Sequence, residues 1–275
     1  PAAWETGKAL ADALLEKYLT EEGSYPEMVG LVVWGTSAMR THGDDIAQVL
    51  ALLGVRPVWQ EESRRVVGLE VIPMEELGRP RIDVTVRISG FFRDAFPNLI
   101  NLLDQGVELA ASLDEPPEDN MILKHLTEDG HSSQERPSGE VGTSGQDEDS
   151  RSASLYRIFG SKPGTYGAGI LQVLEERNWE TVNDLAEVYA AWGGYAYTRQ
   201  EHGVHARQEF RRRFGQIVVA AKNQDNREHD IFDSDDYMQY HGGMIATVRA
   251  LTGRSPRQFF GDSADPSRSR VRDLE

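Results

Sequence analysis

A short, continuously apolar run at residues 28–34 (MVGLVVW) constrains the fold of this chain more than any other sequence feature. The run is rich in β-branched residues and is bounded by Gly or Pro, which is typical of a strand buried on both faces of a sheet. Residues 35–43 follow as a predicted loop. Residues 44–53 then place their apolar side chains on one helical face and end at Gly54, a residue suited to a left-handed helix cap. The sequence therefore predicts a strand–loop–helix unit around a central strand.

The rest of the chain divides into two patterns. Further strands are predicted at residues 55–59, 66–72 and 81–88, and a long helix at 96–113. Helical patterns dominate later, at residues 168–176, 182–192, 204–221 and 235–251. The predicted fold class is α/β, with a mostly parallel sheet and flanking helices in the first half and a predominantly helical second half.

Residues 128–152 contain almost no large apolar side chains, so they cannot contribute to a core. We interpret them as a flexible linker or insertion. The predicted domains are therefore an α/β strand–loop–helix domain at residues 1–127 and a mainly helical region at 153–275.

Charge and cysteine content exclude several functions. The 275 residues carry a formal net charge of -16, so a phosphate backbone or an anionic membrane surface is not expected as a partner. Without cysteine there is no thiolate nucleophile, and a metal would need imidazole, carboxylate or amide ligands. No stretch is long and apolar enough to span a bilayer, and we expect a cytoplasmic protein. Because Pro1 stands where a helix is already in progress, we also expect a piece of a longer chain.

Ligands of open parallel sheets bind beyond the carboxyl ends of the strands, and two segments are predicted to lie there. The first, residues 35–43, carries Arg40 and His42; the second, residues 89–94, carries Phe91 and Arg93. The alternative is structural: His42 would be an ordinary loop histidine and the aromatic side chains would belong to the core.

A glycine-rich stretch at residues 159–169 contains Gly164, Tyr166 and Gly167. It lacks the G-x-x-x-x-G-K-[ST] order of a phosphate-binding loop, so this chain is not expected to hydrolyse ATP. Its glycines would allow the backbone to approach a flat ligand or another subunit closely. A solvent-exposed turn is the alternative.

The densest set of polar side chains lies at residues 223–241, and it includes His229, Asp233 and His241. Imidazole and carboxylate groups suit a divalent ion such as Co²⁺, and they can accept the protons that a metal displaces from ring N–H groups. We interpret Asp235 and Asp236 differently, as the acidic first turn of the following helix. His241 is predicted to point inward, where a hydrogen-bonded core histidine is the common outcome.

Several blocks of the sequence resemble one known family. The segments LVVWGTSAMRTHGDDIAQVLALLGVRPVW, RIFGSKPGTYGAG, WGGYAY and KNQDNREHDIFDSDDYMQYHGGM are similar to the C-terminal part of the CobN large subunits of aerobic cobaltochelatases. More distantly, they resemble the H subunits of magnesium chelatases. The resemblance implies ATP-dependent insertion of Co²⁺ into hydrogenobyrinic acid a,c-diamide during adenosylcobalamin biosynthesis. It also implies that this subunit binds the tetrapyrrole and the metal, while separate AAA+ partner subunits, CobS/CobT-like, hydrolyse ATP.

Cobalt is favoured over magnesium because MRTHGDD at residues 39–45 and KNQDNREHD at 222–230 look like the cobalt branch. The H-G-x-L-E block of the family has no counterpart in these residues, so we expect the isolated chain to be inactive. Two alternatives stay open: a magnesium chelatase H subunit acting on protoporphyrin, and a non-catalytic module that docks the AAA+ subunits.

Residue type suggests the following roles. The predicted tetrapyrrole-binding residues are Arg40, His42, Gly164, Tyr166 and Gly167; the predicted metal ligands are His42, His229 and His241; the predicted catalytic residues are His229, Asp233 and His241.

Overall fold

The computed structural model describes residues 1–134, 152–226, 234–264 and 270–273. The strands are β1 (Met28–Val33), β2 (Val55–Trp59), β3 (Val66–Val71), β4 (Asp83–Ile88), β5 (Ile158–Gly160), β6 (Tyr195–Tyr197), β7 (His202–His205), β8 (Val219–Gln224), β9 (Arg257–Asp262) and β10 (Arg270–Asp273). The helices are α1 (Ala2–Glu22), α2 (Gly35–Thr41), α3 (Asp44–Leu53), α4 (Met74–Leu77), α5 (Gly90–Ala95), α6 (Pro97–Ala111), α7 (Met121–Gln134), α8 (Ile170–Glu175), α9 (Val182–Gly193), α10 (Arg207–Phe214), a π-helix (Tyr237–Gly242) and α11 (Gly243–Thr252).

Eight of the described strands form one sheet in the order β10-β9-β8-β1-β4-β5-β6-β7. The five strands from β9 to β5 are parallel to their neighbours, whereas β6, β7 and β10 pair antiparallel at the two edges. The sheet is therefore mixed but mostly parallel, and the α/β class predicted from the sequence is confirmed. Strands β2 and β3 form a separate antiparallel pair.

The position of β1 confirms the prediction of a central, doubly buried strand. All six residues of β1 are buried, and β1 lies between β4 and β8. Successive side chains of a strand point to opposite faces. Accordingly, Val29 and Leu31 belong to the core under α1, α3 and α6, whereas Met28 and Val32 belong to the core under α9, α10 and α11.

The prediction of a predominantly helical second half is wrong. Six strands, β5 to β10, follow residue 152 and join the same sheet as β1 and β4. The predicted helix at residues 204–221 shows the reason: only Arg207–Phe214 is helical, and Val219–Gln224 is a strand. A short apolar run such as IVVAA has no periodicity that separates a buried strand from a buried helix. The three-residue strands β5 and β6 are too short to show alternation.

Two segments predicted as loops are short helices. Residues 35–43 contain α2, which begins one residue after Trp34, and residues 89–94 lie mostly in α5. In α5, the Ser89 hydroxyl accepts a hydrogen bond from the Phe92 N–H, so Ser89 caps the helix. The chain therefore turns directly from each strand into a helix at the carboxyl edge of the sheet.

The predicted boundaries at residues 128 and 152 stay a prediction. Helix α7 continues across residue 128 to Gln134, and residues 135–151 lie outside the described part of the chain.

α1 is a long helix of 21 residues, but its charged side chains make it unsuited to lipid. None of the helices in the described ranges combines the length and hydropathy that crossing a bilayer requires.

Candidate functional site

A cavity of about 510 Å³, called the cleft below, lies at the carboxyl edge of the sheet. It lies where β1 and β4 pass into α2 and α5, next to the glycine-rich loop after β5 and the π-helix that follows β8. Open α/β sheets bind ligands at this edge. The cleft is lined by Trp34, Gly35, Thr36, Ser89, Gly90, Phe91, Tyr166, Gly167, Gly169, Leu171, Gln172, Trp192, Asp236, Gln239 and Tyr240.

Aromatic side chains form much of the cleft wall. Trp34 packs edge-on against Tyr240, with ring centres 6.3 Å apart, and Trp192 and Tyr166 are 39% and 61% exposed. Gly169 permits this arrangement, since a Cβ there would lie 2.3 Å from the Trp192 ring. Flat apolar walls of this kind suit a planar conjugated ligand, which gains from stacking and from removal of apolar surface from water.

Hydrogen bonds fix the glycine-rich loop against the sheet. The buried Arg93 guanidinium donates to the carbonyl oxygens of Lys162 and Thr165, at 2.9 Å each. The Tyr166 hydroxyl donates to the Asp94 carboxylate at 2.6 Å. On the other side, the Gln239 side-chain oxygen accepts the Ala168 N–H at 3.0 Å. The loop is thus held between α5 and the π-helix.

A buried positive charge lies beneath the cleft. Arg87 on β4 is fully buried, and its guanidinium lies 5.2 Å from the centre of the Tyr240 ring and 5.4 Å from that of Tyr189. It donates to the Ile88 carbonyl at 2.6 Å, its Nε has no hydrogen-bond partner among the described residues, and no described carboxylate forms an ion pair with it. Because a buried charge without a counter-charge is costly, this cation favours a negatively charged group in its vicinity.

A second group of polar side chains is buried between β1 and β8. The Lys222 ammonium lies 4.2 Å from the centre of the Trp34 ring and donates to the Asn223 carbonyl. The Asn223 amide in turn donates to Asp45 at 2.7 Å and to Gln48 at 2.6 Å. These residues form what we call the switch-point cluster, because β1 leads to helices on one face of the sheet and β8 to helices on the other.

Burial shifts the protonation equilibria of this cluster. Loss of hydration raises the pKa of Asp45 to about 7, although the positive charge of Lys222 and the Asn223 amide oppose the rise. The pKa of Lys222 is lowered by burial, against the attraction of Asp45 and Asp225. Burial, and then repulsion from Lys222, lower the pKa of His241 to about 4, so its imidazole is neutral at physiological pH.

Several buried polar atoms of this region have no hydrogen-bond partner among the described residues. They are Trp34 Nε1, Asp45 Oδ2, Gln48 Nε2 and both ring nitrogens of His241. Such groups are rare in folded proteins and usually mark a bound water, an ion or a functional site.

The structure separates the predicted tetrapyrrole-binding residues. Tyr166 and Gly167 line the cleft, whereas Gly164 lies in the same loop but outside the lining. Arg40 lies elsewhere along the edge and forms two hydrogen bonds to Asp225, at 2.5 and 2.9 Å. His42 is exposed, ends α2 in the left-handed conformation, and borders a small pocket of about 100 Å³.

The predicted metal ligands are not all described. His229 and Asp233 lie outside the described residues, and His241 is buried in the π-helix. The described ranges contain no group of three His, Cys, Asp or Glu side chains placed to hold a metal ion. The roles assigned to His42, His229, Asp233 and His241 therefore stay predictions.

Sequence reasoning missed most of the cleft wall. The sequence predicts Trp34 as the end of a strand, Asp236 as part of a helix start, and Trp192 as the end of a helical pattern. A usable signal existed for Trp34, which is the first residue after the central strand. No local signal links Trp192 or Asp236 to that position, because they come from distant parts of the chain.

The fold defines an α/β protein with a cleft at the carboxyl edge of its sheet, and sequence comparison identifies its family. The sequence model of the CobN/Magnesium Chelatase family matches residues 1–275. The chain belongs to this family, as its sequence blocks predicted.

Three similar proteins differ in their sequence identity to this chain. The catalytic subunit of cobaltochelatase from Mycobacterium tuberculosis has a solved structure with a TM-score of 0.92 and 55% identity, covering 100% of this chain and 22% of that one. The aerobic cobaltochelatase subunit CobN of Pseudomonas aeruginosa is 50% identical over 275 residues, which is 100% of this chain and 22% of the relative. The chloroplastic magnesium-chelatase subunit ChlH of Oryza sativa is 33% identical over 267 residues, or 95% of this chain and 18% of the relative. The chain thus spans about a fifth of the length of these relatives.

Proposed function

We propose that this chain is the part of a cobaltochelatase large subunit that binds one side of a tetrapyrrole in the cleft. The reaction of that subunit would be ATP-dependent insertion of Co²⁺, as substrate, into hydrogenobyrinic acid a,c-diamide during adenosylcobalamin biosynthesis. ATP would be hydrolysed by AAA+ partner subunits, and the complex would be cytoplasmic. The aromatic cleft at the carboxyl edge of the sheet, in a chain of this family, is the observation that carries the proposal.

The chemistry of the cleft supports a conjugated, acidic macrocycle. Trp34, Trp192 and Tyr166 offer stacking surfaces, and Arg87 places a positive charge beneath the wall formed by Tyr240. A corrinoid with side-chain carboxylates combines a conjugated ring system with negative charge. Higher identity to the cobaltochelatase relatives than to the magnesium-chelatase relative supports cobalt as the metal.

Two exposed tryptophans provide a matched test of the cleft. Trp192 and Trp179 are 39% and 40% exposed, but only Trp192 lines the cleft. In the full-length protein that we propose contains this chain, absorption titration with the corrinoid should give a Kd at least about tenfold weaker for Trp192→Ala, equivalent to about 1.4 kcal/mol. Trp179→Ala should bind like the unsubstituted protein.

The same titration separates the other functions. Tighter binding of protoporphyrin than of the corrinoid would assign the protein to the magnesium branch. No spectral change with either macrocycle, together with co-elution of an AAA+ subunit, would make it a docking module. Equal affinities of the two tryptophan variants would exclude the cleft as the macrocycle site.

A further inference from the structure

The carboxylate of Asp236 has no structural role that the described contacts explain. Asp236 precedes the π-helix, where an acidic residue commonly caps the helix or favours its dipole. Its side chain makes no capping hydrogen bond. The Tyr237 N–H donates to the Ser234 carbonyl oxygen instead, at 3.0 Å. No described residue donates a hydrogen bond or forms an ion pair with Asp236.

Asp236 instead lines the cleft. Asp236 is the only acidic residue of the cleft lining in the described part of the chain; the other lining residues are aromatic, aliphatic, hydroxyl or amide residues and glycine. Its position next to Tyr240 and Gln239 sets it on the wall formed by the π-helix. π-helical turns are frequent at functional sites because they place side chains that a regular helix would direct elsewhere.

The environment of this carboxylate also favours uptake of a proton. Loss of part of its hydration, followed by repulsion from Asp235, raises the pKa of Asp236 above its usual value. A base with a raised pKa holds a proton more strongly, and efficient proton transfer needs a pKa closer to the operating pH.

We propose that Asp236 is the base that accepts a ring N–H proton when the metal enters a macrocycle bound in the cleft. This proposal rests on the proposed function and adds to it a catalytic residue. In the step, the ring N–H bond breaks and its electron pair stays on nitrogen, where it forms the bond to Co²⁺. The proton forms an O–H bond with the Asp236 carboxylate and then leaves to solvent, because Asp236 is exposed at the mouth of the cleft.

Asp235 offers a matched control. It is adjacent, exposed and acidic, contributes the same charge near the start of the π-helix, and does not line the cleft. Asp235→Asn and Asp236→Asn therefore remove the same charge from the helix start, but only the second removes a base from the cleft.

The experiment measures binding and metal insertion separately in the full-length assembly with its AAA+ partners, ATP and Co²⁺. Corrinoid Kd comes from absorption titration, and kcat from the absorption change on metal insertion at saturating corrinoid. Asp236→Asn should lower kcat about 100-fold or more and change Kd by less than about threefold. Asp235→Asn should leave Kd within about twofold and lower kcat by less than about threefold, because it removes only the repulsion that contributes to the raised pKa of Asp236. Asp236→Glu should restore part of kcat.

Chemical rescue provides a readout that a purely structural residue would not affect. Asp236→Ala should regain activity when acetate is added, since a small carboxylate can occupy the vacated space and accept the proton. The proposal is overturned if Asp236→Asn matches Asp235→Asn in kcat, or if acetate has no effect on Asp236→Ala while its unfolding transition is unchanged. In either case, weaker corrinoid binding by Trp192→Ala than by Trp179→Ala would leave the proposed function standing. Equal binding by the Trp192 and Trp179 variants would reject the proposed function instead.

Discussion

The ammonium group of Lys222, on β8, lies 4.2 Å from the centre of the Trp34 indole ring at the end of β1. This contact connects the cleft wall to the switch-point cluster, because Trp34 lines the cleft and Lys222 interacts electrostatically with Asp45 and His241. Cation–π contacts gain strength when the cation is desolvated, as it is here.

We expect Lys222→Met to lower the free energy of unfolding by about 3 kcal/mol, because it leaves Asp45 buried without its positive neighbour. Asp45→Asn should cost less in the Lys222→Met background than alone, with a coupling energy of at least about 1 kcal/mol. Urea unfolding of the two single variants and the double variant measures this coupling. Strict additivity would show that Lys222 and Asp45 do not interact.

The protonation of Asp45 should be visible in the pH dependence of stability. Its pKa is about 7 in the folded protein and 3.8 ordinarily, so between these values the folded state binds more protons than the unfolded state. Stability from this group is therefore fully present below about pH 4 and is lost as pH rises to about 7, with a slope of at most about 1.4 kcal/mol per pH unit. His241, whose pKa is lowered, acts in the opposite direction between about pH 4 and 6.5.

Comparison with Asp45→Asn isolates the contribution of Asp45, since the titration of His241 is common to both proteins. The free energy of unfolding of the unsubstituted protein should fall relative to that of Asp45→Asn as the pH rises from 5 to 7. From pH 8 to pH 9 the difference between the two proteins should be constant. A difference that is constant from pH 5 to pH 9 would contradict the raised pKa.

Arg40→Gln should destabilise the protein by about 1 kcal/mol. Asp225 is the partner: its carboxylate is nearly buried, and Arg40 holds its pKa below the ordinary value even though burial alone would raise it. Loss of Arg40 should therefore also raise the pKa of Asp225, measurable by carboxylate NMR titration. An unchanged pKa would show that the two hydrogen bonds from Arg40 do not persist in solution.

Gly169→Ala should weaken corrinoid binding about tenfold or more. The added Cβ would lie 2.3 Å from the Trp192 ring, so Trp192 must leave its place in the cleft wall. Gly164→Ala is the matched control, because Gly164 also has a positive φ, of 80° against 75°, but no atom lies within 4 Å of the added Cβ. Both variants carry the same backbone strain, and only Gly169→Ala should change the Kd. Equal affinities would contradict a role of Trp192 in binding.

The sequence predicted those elements whose residues carry a strong local pattern. The sequence predicts β1 from its continuously apolar, β-branched run, and α3 from its apolar face and from Gly54, which ends the helix in the left-handed conformation. The β/α alternation also predicted parallel strands whose carboxyl ends meet at one edge of the sheet, and the cleft lies at that edge. The sequence does not predict β8, because its apolar part is only the short run 219–221 (VAA), which has no distinctive period and is followed by three polar residues.

The residues that line the cleft were harder to predict than the edge of the sheet where it lies. Tyr166 and Gly167, which the sequence predicts from the unusual glycine-rich stretch, do line the cleft, and their role in binding stays a prediction. Asp236 was assigned to a helix start, since a run of acids before a helix fits that role. Whether its side chain caps the helix or faces a cavity depends on the π-helix, which no local pattern signals.

The sequence by itself determined the family, the buried central strand and the strand-to-helix units at the carboxyl edge, because these depend on patterns within a few dozen residues. Only the tertiary structure decided that Trp34, Trp192 and Asp236 share one cleft and that Lys222 lies under Trp34. Those relationships arise from pairing of β1 with β4 and β8, strands far apart in the chain. Long-range strand pairing brings together side chains whose local sequences carry no information about one another.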